Sequence, residues 1–274
     1  MELRFCPLFS GSSGNALYLG CGSTHLLIDA GMSGAKITTE LERIGLSPDQ
    51  LTAILITHEH ADHIAGAGIL SRRHDLPVFA NEATWNAMRP KLGSIVEKNV
   101  RVFETGADFH IGEMDIVPFA TPHDAAEPVG YSFYAGQSKL SIATDLGTIK
   151  ESWLKHAAHS DLVLLESNHD VDMLKAGRYP YELKRRILGS KGHLSNDSAG
   201  KAAAALVKRG VQSIILGHLS GENNFPELAY QSVCCVLQEE GIEPGRDVML
   251  SVASRDGASG MYVINGKSGQ TEVI

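Results

Sequence analysis

The sequence predicts an α/β fold in one domain spanning residues 1–274, on three observations. Short apolar runs of strand character alternate with stretches of helical periodicity along the whole chain. No internal repeat, low-complexity tract or Pro/Gly-rich linker marks a boundary. The length of 274 residues, 43% of them hydrophobic and 20% charged, suits a folded chain with a sizeable core.

Taken in order, residues 3–8, 16–19 and 26–28 read as strands, separated by Gly- and Ser-rich turns. Residues 34–44 carry apolar side chains at helical spacing, 53–56 form a short buried strand, and 63–74 read as a helix closed before Pro77. Strand-like runs follow at 100–104, 114–121, 129–136, 139–145 and 161–167. Two plain helices, 201–209 and 227–240, flank a strand at 211–218.

Composition narrows the function. A net charge of −8 provides no overall basic field for nucleic acid, although a local patch can act within an acidic chain. Cys6, Cys21, Cys234 and Cys235 lack the paired spacing of a thiolate zinc site and read as buried reduced thiols. The N-terminus MELRFCPLFSGSSGN has neither the basic segment nor the apolar core of a secretion signal, and no apolar run is long enough for a bilayer. A cytoplasmic protein with no membrane partner is the expectation, and the oligomeric state has no readable signature.

The densest chemistry lies in ITHEHADHIAG, residues 56–66, with three imidazoles and two carboxylates straight after an apolar run. On an extended segment His58, His60 and Asp62 share one face. Such groups repel one another when charged and become favourable around a divalent ion. The metalloprotease pattern H-E-x-x-H is excluded, because Asp62 stands four residues after His58. Three further pieces, TPHD at His123, ATDLG at Asp145 and ILGHLS at His218, each follow a strand-like run. Their polar residues would emerge on one rim, where α/β sheets place functional crevices.

H-x-H-x-D-H-x-x-G followed by a histidine, an aspartate and a histidine in this order resembles the metallo-β-lactamase-fold superfamily, over nearly the whole chain. The resemblance implies an αββα sandwich, two mixed β-sheets packed between helices. It implies two divalent metals per chain, one held by His58, His60 and His123, the second by Asp62, His63 and His218, with Asp145 bridging them. Imidazole and carboxylate without thiolate leave zinc, manganese and iron open. Two cations sharing a water would make hydroxide available at neutral pH, so hydrolysis is the expected reaction class, with Asp62 orienting the attacking hydroxide. Asp29 in LLIDAG matches a family position behind the ligands; the alternative is a turn residue before Gly31.

Between Asp145 and His218 the segments DLVLLESNHD and KGHLSNDSAGKAAAAL resemble the nucleic-acid-processing branch that includes tRNase Z and RNase J. That match makes His193 a proton donor to a phosphodiester leaving oxygen and Glu166 its tuning partner. The competing reading of His193 is a residue near a helix start capped by Ser195 or Asn196. SGSSGN, THEHADHIAG, ESNHD, GHLSND and GHLSGENN together resemble the WalJ (YycJ)-like bacterial group, which implies metal-dependent double-strand DNA exonuclease activity. The 145–218 interval is too short for the inserted clamp domain of the RNase J type, and no tRNase Z arm is apparent. For substrate contacts the candidates are Ser13 and Asn15 in SGSSGN, His169 in ESNHD, and Lys184 and Arg185 in the basic run KRRILGSK. A plain turn, a surface histidine and a solvated helix face are the respective alternatives. The alternative activity is a small-molecule thioester or lactone hydrolase of the glyoxalase II type; a binding module that keeps metals without catalysis is the third reading.

Overall fold

The computed structural model describes residues 1–265 and 270–273. Its strands in chain order are β1 (Leu3–Gly11), β2 (Gly14–Cys21), β3 (Thr24–Ile28), β4 (Ala53–Leu55), β5 (Val78–Asn81), β6 (Val100–Phe103), β7 (Phe109–Ile111), β8 (Met114–Ala120), β9 (Val129–Ala135), β10 (Ser138–Ala143), β11 (Leu162–Glu166), β12 (Ser213–Gly217), β13 (Met249–Val252), β14 (Tyr262–Asn265) and β15 (Gln270–Val273). They form two mixed sheets, in the orders β15-β14-β1-β2-β3-β4-β5-β6 and β13-β12-β11-β10-β9-β8-β7. The helices are α1 (Gly34–Arg43), α2 (Ala61–Ile64), α3 (Ala67–His74), α4 (Glu82–Leu92), α5 (Glu151–Ala157), α6 (Val171–Ala176), α7 (Tyr181–Leu188), α8 (Asn196–Val207) and α9 (Pro226–Glu239).

The period-two alternation of strands builds the layers. Leu26 and Ile28 of β3 face inward with Tyr131, Phe133, Ile142 and Leu164 of the second sheet. Leu27, between them, faces outward with Ile37, Leu41, Leu70, Trp85 and Met88 of the first helical layer. Val163 and Leu165 of β11 turn the other way, onto Trp153, Ala202, Leu206, Val233 and Leu237. Both sheets are therefore apolar on both faces, which requires the αββα sandwich that the sequence predicts. Residues 162–165 read as a continuous apolar run for the same reason.

The helix expected at 63–74 is two helices. At Gly66 the backbone N–H donates to Ala30 O at 2.7 Å. A Cβ there would lie 2.4 Å from Met32 O, so close approach of the loop after β3 breaks the helix. The helix expected at 201–209 starts earlier, at Asn196, where Ser195 accepts from Ser198 N as the N-cap. Elements that no periodicity announced include α4, whose start is capped by Asn81, α5, α6, α7 and β14, which pairs with β1 through Leu3↔Ile264. Among the described residues no helix is long and apolar enough to cross a membrane.

β3 and β4 run parallel, as do β10, β11 and β12. Tyr131 Oη donates to Ile56 O at 2.6 Å and Val129 N to Thr57 O at 3.0 Å, joining the sheets beside the carboxyl end of β4.

Candidate active site

Asp29 follows β3, His58 follows β4, Asp145 follows β10, Glu166 ends β11 and His218 follows β12. Asp29, Asp145 and His218 take left-handed backbone conformations, with φ of 59°, 57° and 58°. Such φ values are uncommon outside glycine, and three at one rim turn the side chains sharply off the strand ends.

The predicted ligands converge. His58 Nε2 lies 3.0 Å from His60 Nδ1, and His123 Nε2 3.3 Å from that same nitrogen. His63 Nε2 stands 3.5 Å from Asp62 Oδ2 and 3.5 Å from Asp145 Oδ2. His218 Nε2 stands 3.8 Å from Asp62 Oδ2 and 3.6 Å from Asp145 Oδ1. Two donors each ~2.1 Å from a tetrahedral ion stand about 3.4 Å apart, so the spacing fits shared coordination. Asp145 Oδ2 and His218 Nε2 are buried with no hydrogen-bond partner, a costly arrangement unless an ion completes it. His58, His60 and His123 form one donor group, and Asp62, His63 and His218 another.

The rings of His63 and His123 are held from behind. Asp29 accepts Thr57 N and Thr57 Oγ1 at 2.8 Å each and faces His63 Nδ1 at 2.7 Å. Asp29 therefore holds Thr57 and the His63 ring as well as turning the chain after β3. His123 Nδ1 donates to Gly192 O at 3.1 Å. In each case Nδ1 is engaged and Nε2 is turned to the cluster. Burial, then the neighbouring histidines, hold His58 well below the ordinary imidazole value, in the neutral form that ligates. Burial opposes protonation of His63, but Asp29, Asp145 and Asp62 outweigh it and raise its pKa well above the ordinary value. Burial raises the Asp62 carboxyl; His63 and His218 more than reverse this.

Glu166 is fully buried and fully used. Oε1 faces His193 Nδ1 at 2.7 Å and His218 Nδ1 at 2.8 Å, while Oε2 accepts Leu146 N at 2.7 Å and Leu194 N at 3.1 Å. His193 is 17% exposed and lines a cavity of about 210 Å³ with Ser12, His60, Asp62, Asp145, Asn168, Arg186 and Ser220. Ser195 caps α8, as the helix-start reading expects, and His193 two residues before it turns its ring to Glu166 and the cavity. A larger groove of about 560 Å³, lined in part by Arg4, Tyr18 and His25, holds none of these donors.

The expected substrate contacts are redistributed. Ser13 is exposed and off the cavity, which Ser12 lines instead. Asn15 is buried, with Nδ2 3.2 Å from His63 Nε2. His169 is neither at the surface nor on the cavity wall: it is buried, and burial lowers it to about 4. Lys184 Nζ is spent on Lys175 O and Gly177 O, at 2.7 Å each, tying α7 to α6. Arg185 pairs with Glu182 and covers the Tyr181 ring. Of the basic run, Arg186 reaches the cavity, held by Asp124 at 2.5 and 3.1 Å. Helical rotation of 100° per residue separates it from Arg185. Asn168 and Ser220, which sequence reading did not single out, position the last ligand loop: Asn168 Nδ2 donates to His218 O and Ser220 N to Asn168 O.

This fold and donor set define a class, and comparison with known proteins agrees with it. Residues 24–219 match the Beta-lactamase superfamily domain, and the chain belongs to the metallo-β-lactamase superfamily, with convergent histidines and aspartates whose donor atoms suit a divalent metal. Within it, the chain belongs to the WalJ/YycJ group. It is 42% identical over 245 residues to Exodeoxyribonuclease YycJ of Bacillus anthracis, covering 89% of this chain and 93% of that one. It is 40% identical to Exodeoxyribonuclease WalJ of Streptococcus pneumoniae, covering 93% and 96%. The metallo-β-lactamase fold protein YhfI from Bacillus subtilis superposes with a TM-score of 0.70 at 16% identity, over 94% of this chain and 99% of that one.

Proposed function

We propose that this chain is a metal-dependent nuclease that removes nucleotides from the ends of duplex DNA. The observation that carries the reading is the Glu166-held His193, set on the cavity wall beside the metal donors. The thiolate of a thioester leaves with little need for a proton donor at that place, whereas an alkoxide leaving from a phosphodiester requires one. The exodeoxyribonucleases at 40–42% identity support DNA as the polymer.

Two divalent ions fit the two donor groups, His58, His60 and His123 in one and Asp62, His63 and His218 in the other, with Asp145 facing both. Zinc, manganese and iron all suit the donors. When bound, the ions supply an activated water and positive charge at the scissile phosphate. Asp62, on the cavity wall, accepts a hydrogen bond from the attacking water and fixes its line of approach. His193 donates its Nε2 proton to the departing sugar oxygen while Nδ1 stays on Glu166. Arg186, among the described residues the only Arg or Lys on the cavity wall, binds a phosphate oxygen of the scissile group. The four cysteines are free, Cys235 exposed rather than buried, and are compatible with a reducing cytoplasm.

Apoprotein reconstituted with zinc, manganese or iron and offered end-labelled duplex DNA, single strands, RNA and a thioester tests the reading. Metal-dependent release of terminal nucleotides, abolished by Asp62→Ala, is expected. Thioester turnover with all nucleic acids intact overturns it.

A further inference from the structure

We infer that Arg255 is a second phosphate-holding residue of this site, on the His218 rim, receiving a backbone phosphate of the polynucleotide away from the scissile bond. The inference rests on the nuclease reading and extends it to a residue that no motif contains.

Three segments meet at that rim. Ser10 Oγ accepts His218 N at 3.0 Å, Ser10 N donates to Ser254 O at 3.2 Å, and Ser12 N donates to Leu219 O at 3.3 Å. Ser12 and Ser220, from two of these segments, line the cavity. Arg255 follows Ser254 and lies against Gly11 and Gly221, the residues next to Ser12 and Ser220. A Cβ on Gly11 would stand 3.1 Å from Arg255 Cγ, and one on Gly221 2.8 Å from an Arg255 Nη atom. Neither glycine has a positive φ, so both serve here by leaving room for the arginine rather than by bending the chain.

The guanidinium is unspent. Arg43, Arg186 and Arg246 each pair with a carboxylate, whereas Arg255 has neither ion pair nor hydrogen bond among the described residues, although Asp256 follows it in the chain and Glu222 follows Gly221, against which it lies. Its Nε is buried without an acceptor, while its Nη atoms, equally unpartnered, are not buried. A permanently charged group, partly stripped of water and lacking a partner in a chain of net charge −8, calls for an external anion. The planar Nη fork suits a phosphate. Arg186 sits on the His123 side through Asp124, and Arg255 on the His218 side, so a strand held by both crosses the metal donors.

The test uses the full-length holoenzyme, with KM for duplex DNA measured across a series of potassium chloride concentrations. Each phosphate contact contributes about 0.9 to the slope of log affinity against log salt. Arg255→Gln is expected to lower that slope by about 0.9 and to raise KM roughly five- to tenfold near 0.1 M salt, with metal content unchanged. Arg255→Lys is expected to keep the slope. Gly221→Ala, which displaces the guanidinium while leaving the arginine in place, repeats the test should Arg255→Gln fail to fold. A slope equal to that of the parent in Arg255→Gln overturns the inference, even with KM raised, because lost packing does not change the number of counterions released. A parent protein that digests no nucleic acid with any metal overturns the nuclease reading and this inference with it.

Discussion

One oxygen of Glu166 faces both His193 Nδ1, at 2.7 Å, and His218 Nδ1, at 2.8 Å. A single buried carboxylate therefore orients one ring of the donor cluster and one ring on the cavity wall. Its other oxygen takes the Leu146 and Leu194 amides, so its position is fixed from four directions. Burial raises this carboxyl, but the charge of His193 and the hydrogen bonds from His193 and His218 bring it well below the usual range, and it stays ionised.

Glu166→Gln should damage both functions at once. The Gln Nε2 would confront either two amide donors or two imidazole N–H groups, leaving buried donors unpaired at a cost of about 1–3 kcal/mol. Metal affinity should fall roughly 10- to 100-fold through His218, and kcat by about 10²-fold or more through His193. Metal content after dialysis against a calibrated chelator, measured beside single-turnover rates, checks this. Loss of rate with full metal affinity would separate Glu166 from His218.

His193→Ala should separate the two functions that Glu166 joins. The ring is on the cavity wall, so its loss removes the proton donor and leaves the metal donors in place. A fall in kcat of about 10²- to 10⁴-fold with metal content close to the parent's is expected. A substrate whose leaving group needs no proton, such as a nitrophenyl phosphodiester, should recover much of the loss. Equal sensitivity of both substrates would remove His193 from the acid role.

Asp29→Asn addresses the opposite side of the cluster. Asp29 accepts from Thr57 N and Oγ1 and holds His63 Nδ1, all within 2.8 Å. The amide would set an N–H against a donor, freeing the His63 ring to rotate. Metal affinity should drop roughly 10-fold or more, with about 1–3 kcal/mol of stability lost in the apoprotein. Isothermal titration with manganese and a denaturant melt of the chelated protein measure the two separately.

The convergence of the histidines and aspartates was legible because their pattern is local: each ends an apolar run or lies next to a turn. The αββα layering followed from the same runs, since apolar stretches such as 162–165 leave no solvent face. What was not legible depends on distant pairing. Gly66 breaks the expected helix only because the chain near Met32 passes over it. Arg186 and Arg185 are neighbours in one basic run, and only the docking of α7 decides which reaches the cavity. Arg255 sits beside the cleft through a contact between Ser254 and Ser10 that no sequence period encodes.

The metal-free protein should lose stability as pH rises, in the range where metal affinity improves. Burial alone would lower His218, but the Asp145 and Asp62 carboxylates and the hydrogen bond to Glu166 raise it to about 10. His63 is raised too, by Asp29, Asp145 and Asp62 against its burial. A folded-state pKa above the unfolded value of about 6.5 means that the native state binds the extra proton. The stabilisation is then complete below about 6.5 and lost progressively as pH climbs toward 10. His58 works in the other direction, since burial lowers it, and its contribution is present above about 6.5 and lost in acid. The chelated protein should therefore be most stable near neutrality and melt at lower temperature at pH 9 than at pH 7. Metal binding must displace the protons of His63 and His218, so the affinity for manganese or zinc should rise across the same interval. Thermal melts of apo and metal-loaded protein from pH 5 to 10 should diverge increasingly on the alkaline side. Parallel curves would mean that the buried imidazoles carry no proton for the metal to replace.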